Sequence, residues 1–82
     1  MSEHADITKH CLATAIKHNF NYAETLDNLN GTLEAAEYGE EFLCPSYQLA
    51  NWVKQILLSQ KDGLYGVSHS AINDWLSRRC DE

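Results

Sequence analysis

The sequence predicts a small all-α protein: a compact bundle of about four short helices that forms one domain over residues 1–82. Three features predict this class. Apolar residues recur at three- and four-residue steps along most of the chain. Capping or helix-breaking residues bound each periodic segment. No segment alternates apolar and polar residues over the length of a strand. We therefore expect short connections and helices that pack by their apolar faces.

The first two periodic segments predict the first two helices. The first segment runs over about residues 6–18, and the second begins at Tyr22. Asn21 precedes the second segment and Glu24 follows three residues later, which is the arrangement of a capping box. Gly39 is expected to end the second helix as its C′ residue. A seam of apolar residues spaced four and three apart marks the inner face of this helix: Tyr22, Leu26, Leu29, Leu33 and Ala36.

The third and fourth helices are predicted in the second half of the chain. Pro45 and Ser46 start the third, and the Asp62-Gly63 pair stops it. Gly66 permits a left-handed turn, and Ser68 is the expected N-cap of the fourth helix. Seven side chains on the inner faces of the last three helices are expected to be mostly buried: Leu29, Leu33, Trp52, Val53, Ile56, Ile72 and Trp75.

Charge limits the kinds of partner. Twelve acidic and six basic residues give a net charge of −6, which disfavours nucleic acid and anionic membranes and attracts a basic protein. The beginning of the sequence is acidic and no long apolar run follows, so we expect no membrane contact and a cytoplasmic protein. The three cysteines are expected to be reduced thiols, with Cys80 the most exposed. A homodimer is compatible with this composition.

Acidic residues concentrate in the second helix and the connection that follows it. Between His18 and Lys54 there are six acids and no lysine or arginine. Most of these acids are spaced so that, on one continuous helix, they would share the face opposite the leucine seam. Either this face is simply solvated, or it docks a basic partner. The predicted partner-binding residues are Glu24, Asp27, Glu34, Glu37, Tyr38 and Glu41, with Tyr38 included because tyrosine is enriched at protein interfaces.

A second candidate lies in residues 64–79. The run Gly66-Val67-Ser68-His69-Ser70-Ala71-Ile72-Asn73 resembles the turn and the start of the recognition helix in Cro-type phage repressors. This resemblance implies a helix-turn-helix regulator in which Ser68, His69, Ser70 and Asn73 face the major groove. The sequence departs from the family at Asp62-Gly63, where the family has an unbroken helix. A serine-capped structural helix is the alternative.

No catalytic, metal or cofactor site is predicted. Ser68, Ser70, His69 and Asp74 have the residue types of a hydrolase triad, but neighbours on one helix point in different directions. The four histidines show no spacing typical of a metal site and are interpreted as surface or boundary residues.

The leading hypothesis is an acidic protein–protein interaction module without enzymatic activity. By analogy of size and charge alone, it is expected to be a regulator or inhibitor of a basic, nucleic-acid-binding partner, of the type carried by phages and other mobile elements. The alternative is a DNA-binding regulator that uses residues 64–79, and a structural subunit of a larger complex is a third possibility.

Overall fold

A computed structural model describes residues 3–79, and within this range the chain forms four α-helices. They are α1 (Glu3–Lys17), α2 (Tyr22–Ala35), α3 (Ser46–Ser59) and α4 (His69–Arg79), with a short 3-10 helix, Glu40–Phe42, between α2 and α3. The described residues contain no strand beyond one isolated bridge between Leu64 and Val67. The all-α prediction is therefore confirmed. None of these helices is both long and apolar enough to cross a membrane.

Helices α1 and α2 form an antiparallel pair. Helix α1 begins earlier than predicted and ends where Asn19 takes a positive φ of 57°. The Phe20 amide then donates to the Ala15 carbonyl at 2.8 Å, which is the long bond of a Schellman motif. Helix α2 starts with the predicted capping box, because the Asn21 side chain accepts from the Glu24 amide and the Glu24 carboxylate accepts from the Asn21 amide.

The predicted end of α2 is wrong. The residue in the left-handed region is Glu37, with φ 69°, whereas Gly39 has an extended backbone with φ −74°. The Glu37 amide donates to the Glu34 carbonyl at 2.9 Å, and the Tyr38 amide donates to the Leu33 carbonyl at 3.1 Å. These bonds define a Schellman motif with Glu37 at C′. Tyr38, which follows this reversal of the chain, packs against the hydrophobic core.

Gly31 lies in the middle of α2 and is exposed, and a Cβ built on it meets no atom within 4 Å. No close helix crossing within the described chain therefore requires a glycine at this position. We expect Gly31→Ala to raise the free energy of unfolding by about 0.5–1 kcal/mol, because alanine loses less backbone entropy in a helix. Urea denaturation of the two proteins measures this difference. A lower midpoint for the variant would contradict it.

Polar side chains of α2 fix the connection to α3. The Asn30 amide makes two hydrogen bonds to the backbone of Cys44, accepting from its N–H at 2.7 Å and donating to its carbonyl at 2.9 Å. The Tyr22 hydroxyl donates to the Ser46 carbonyl and accepts from the Ala50 amide. These bonds hold the first turn of α3 against α2, and α3 begins after Pro45, as predicted.

The core lies between the four helices. Six of the seven side chains predicted to be buried are buried there: Leu29, Leu33, Val53, Ile56, Ile72 and Trp75. The Trp75 indole N–H donates to the Phe20 carbonyl at 3.0 Å, which satisfies its buried polar group. Trp52 is the exception, because its side chain is only half-buried. It packs at the edge of the core, next to the beginning of α1.

A tight turn precedes α4. Leu64 and Val67 exchange backbone hydrogen bonds at 2.7 and 2.9 Å around Tyr65 and Gly66, whose φ values are 47° and 87°. Two positive φ values at these positions are typical of a type I′ turn, which confirms the left-handed turn predicted at Gly66. Helix α4 then starts behind Ser68, whose hydroxyl accepts from the Ala71 amide at 3.1 Å, so the predicted N-cap is confirmed as well.

Candidate interaction surface

The acidic residues of α2 lie on its outer face. Glu24, Asp27 and Glu34 are all exposed, whereas Leu29 and Leu33 point into the core. The 3.6-residue period of the helix produces this separation, as the sequence predicts. Glu24 has a local role as well, because its carboxylate accepts the Asn21 N–H at 3.0 Å and caps the helix. We name the exposed acids of residues 24–41 the acidic surface; they are Glu24, Asp27, Glu34, Glu37, Glu40 and Glu41.

The acidic surface is not one continuous helical stripe. Helix α2 ends at Ala35, so Glu37 follows it in the left-handed C′ position, and Glu41 lies in the 3-10 helix. Both are exposed. The expectation that helical spacing carries the stripe from Glu24 to Glu41 is therefore corrected. A Schellman motif reverses the chain after Glu34, and loop geometry decides where the last three acids point.

No basic side chain neutralises the acidic surface within the described part of the chain. Across the side chains of residues 4–78, the single ion pair joins Asp74 to Arg78 on α4 at 3.2 Å. That pair is exposed and spans one helical turn. The acidic surface therefore presents unpaired charge to the solvent, a distribution that favours approach by a basic molecule.

Tyr38 lies inside an aromatic cluster instead of standing alone at the edge of the acidic surface. Its ring meets the rings of His4 and Phe42 edge-on, at centroid distances of 5.4 and 5.6 Å. The His4 ring also meets the Trp52 ring at 5.3 Å, and His4 Nε2 lies 2.9 Å from the Phe42 carbonyl oxygen. We call these four residues, His4, Tyr38, Phe42 and Trp52, the aromatic cluster.

Sequence reasoning missed the aromatic cluster. His4 is one of the four histidines interpreted as surface or boundary residues, and Phe42 is not among the predicted interface residues, although 48% of its surface is exposed. The cluster joins the beginning of α1, the end of α2, the 3-10 helix and the middle of α3. No local pattern signals such a contact, because it depends on how the helices pack. In the chain, Tyr38 and Phe42 of this cluster lie next to Glu37, Glu40 and Glu41. Aromatic side chains beside charged ones are typical of protein interfaces.

The residues of the helix-turn-helix alternative have mainly structural roles. His69 Nε2 lies 3.1 Å from the Leu57 carbonyl oxygen at the end of α3, and the Ser68 hydroxyl caps α4. The connection over residues 60–68 contains a complete type I′ turn and is longer than the three- to four-residue turn typical of the motif. Four residues were predicted to face the major groove. Two of them, Ser70 and Asn73, are exposed and have no structural role of this kind.

The two described cysteine thiols, Cys11 and Cys44, are free and buried. Burial raises the pKa of the Cys44 thiol to about 11. Burial also raises the pKa of Cys11, against an opposing hydrogen bond with Thr32. Protonated thiols are poor nucleophiles and poor metal ligands. In the part of the chain that the structure describes, no three histidine, cysteine or acidic side chains are grouped to hold a metal ion. Cys80, expected to be exposed, lies outside the described residues.

Comparison with known proteins adds no functional assignment. No protein family model, curated protein or solved structure matches the chain. The class that the fold and the surface define is a small helical protein with an acidic, partly aromatic face.

Proposed function

We propose that this protein is an interaction module that acts by binding and that its acidic surface docks a basic protein in the cytoplasm. A nucleic-acid-binding protein suits this surface best, because several exposed carboxylates without a neutralising base resemble the negative charge of a phosphate backbone. Bound there, the module would act as a regulator or inhibitor by occupying the partner's nucleic-acid site. The binding residues are the predicted set: Glu24, Asp27, Glu34, Glu37, Tyr38 and Glu41.

The observation that carries the proposal is the backbone of Glu37. A non-glycine residue in the left-handed region costs about 1–2 kcal/mol, and glycine is the favoured residue at C′ of a Schellman motif. Here a glutamate of the acidic surface occupies that position with φ 69°. Among the side chains of residues 4–78 this carboxylate makes no ion pair that would stabilise the fold. Binding gives a reason for it, since residues that conflict with local structural preference concentrate at functional sites.

Gly31 gives a second reason of the same kind. It lies in α2 between Asp27 and Glu34, and glycine inside a helix lowers the stability of that helix. A Cβ built on Gly31 meets no atom within 4 Å, so packing within the described chain does not require a glycine here. A glycine on an exposed helix face permits close approach of another backbone or side chain. Gly31 and Glu37 therefore both lower the stability of the folded chain, and both lie on the surface assigned to the partner. Residues that lower the stability of the fold are expected where they contribute to function.

The substitution that tests the proposal is Glu37→Gly. We expect it to raise the free energy of unfolding by about 1 kcal/mol, because glycine relieves the left-handed strain. We also expect it to weaken partner binding about fivefold or more, because one carboxylate is lost from the docking surface. Urea denaturation measures the first effect. Calorimetric titration of the partner, captured from a cell extract and purified, measures the second.

The matched control is Asn19→Gly. Asn19 has the same C′ position at the end of α1, with φ 57°, but lies outside the acidic surface. Asparagine tolerates this conformation well, so we expect a small change in stability and no change in affinity. If Glu37→Gly stabilises the fold and leaves the affinity unchanged, the glutamate has no binding role and the proposal loses its main support.

A further inference from the structure

An open cavity of about 300 Å³ lies between the first turns of α1 and the middle of α3. Its walls include Ala5 and Thr8 from α1 and Trp52 and Ile56 from α3. This volume is at the lower end of the range of small-molecule sites, about 300–1,000 Å³. The walls are mostly apolar, as is typical of such sites.

One wall of the cavity is aromatic and held in place. The Trp52 ring stands nearly perpendicular to the His4 ring, with an interplanar angle of 82°. His4 is fixed by the contact of its Nε2 with the Phe42 carbonyl oxygen at 2.9 Å. The half-buried state of Trp52, which the helical pattern does not predict, follows from its position at this opening. A flat ring fits such a wall, because edge-to-face and offset contacts between rings are favourable.

The polar side chains that line the cavity include a positively charged one, Lys9. The Thr8 hydroxyl already donates to the His4 carbonyl at 3.0 Å. Lys9 and Gln55 complete the lining, and no acidic residue belongs to it. Lys9 is half-buried and makes no ion pair with any side chain of residues 4–78. The cavity therefore combines an aromatic, apolar interior with one cation that an anionic group would complement.

We propose that this cavity is a binding site for a small aromatic carboxylic acid. The ring of the ligand lies against Trp52 and Ile56, and its carboxylate accepts a charge-assisted hydrogen bond from the Lys9 ammonium. The cavity shares His4 and Trp52 with the aromatic cluster, but none of the six residues proposed to bind the basic protein lines it. The two proposals select ligands of opposite charge, so either one stands if the other fails.

An NMR titration of the whole protein tests the site with two probes of one size, hydrocinnamate and its neutral amide, hydrocinnamide. We expect hydrocinnamate to shift the Trp52 indole N–H signal in a saturable manner, with a dissociation constant in the millimolar range that suits so small a ligand. The Trp75 indole is the internal control, since it is buried and donates to the Phe20 carbonyl. Hydrocinnamide should bind about fivefold more weakly, because it lacks the charge.

Two variants separate charge from shape. Lys9→Gln should lower the affinity for hydrocinnamate about fivefold and leave hydrocinnamide unchanged. Ala5→Phe should fill the cavity and abolish the binding of both probes. Ala23→Phe makes the same change at an exposed position of α2 and should have no effect.

Equal affinity for the two probes would overturn the anionic specificity. The absence of a saturable Trp52 shift, or an unchanged shift in Ala5→Phe, would overturn the site itself.

Discussion

Leu33→Ala is expected to lower the free energy of unfolding by about 2–5 kcal/mol, the range for truncation of a buried leucine. The Leu33 side chain is fully buried, at 0% exposure, and its backbone carbonyl accepts the Tyr38 amide in the motif that ends α2. The substitution therefore opens a cavity below the reversal of the chain. A domain of this size has a stability of about 5–10 kcal/mol, so the variant should be partly unfolded well below the melting temperature of the unmodified protein.

Leu58→Ala on α3 is the matched control. Leu58 is 70% exposed, so the same truncation there should change stability by no more than about 0.5 kcal/mol. Urea denaturation followed by circular dichroism compares the three proteins. If Leu33→Ala costs less than about 1 kcal/mol, the leucine seam of α2 does not form the core.

The paired substitution Glu34→Lys with Glu37→Lys is expected to abolish binding of the basic partner while the fold survives. Both side chains are exposed, and reversing them changes the charge of the acidic surface by four units without opening a cavity. Exposed substitutions usually change stability by at most about 0.5 kcal/mol. Placing like charges across an interface costs several kcal/mol and slows association. Calorimetric titration at several salt concentrations measures the loss and its electrostatic origin.

The control for this pair is Asp6→Lys with Asp62→Lys, which changes the net charge by the same amount. Asp6 lies on α1 and Asp62 lies in the connection before α4, and both are exposed. We expect little loss of affinity in this variant. Should both pairs behave alike, the effect would be one of net charge and not of a docking surface. If Glu34→Lys with Glu37→Lys leaves affinity and salt dependence unchanged, the acidic surface is only solvated.

The sequence by itself determined the features that local interactions decide. The capping box of Asn21 and Glu24, the N-cap at Ser68 and the turn at Gly66 each involve residues a few positions apart. Their geometry depends on bonds within one turn of chain, so residue type and spacing are enough to predict them. The buried positions of Leu29 and Leu33 follow in the same way from the helical period.

The tertiary structure decided the end of α2 and the make-up of the candidate sites. Glu37, and not Gly39, has the left-handed backbone conformation at the end of α2. The next residue, Tyr38, packs against the core. His4 and Phe42 are 38 residues apart and meet only because α1 and α2 run antiparallel. The cavity beside Trp52 lies between α1 and α3, so it too depends on how separate helices pack. Such contacts depend on the relative placement of whole helices, which the pattern of any single segment does not contain.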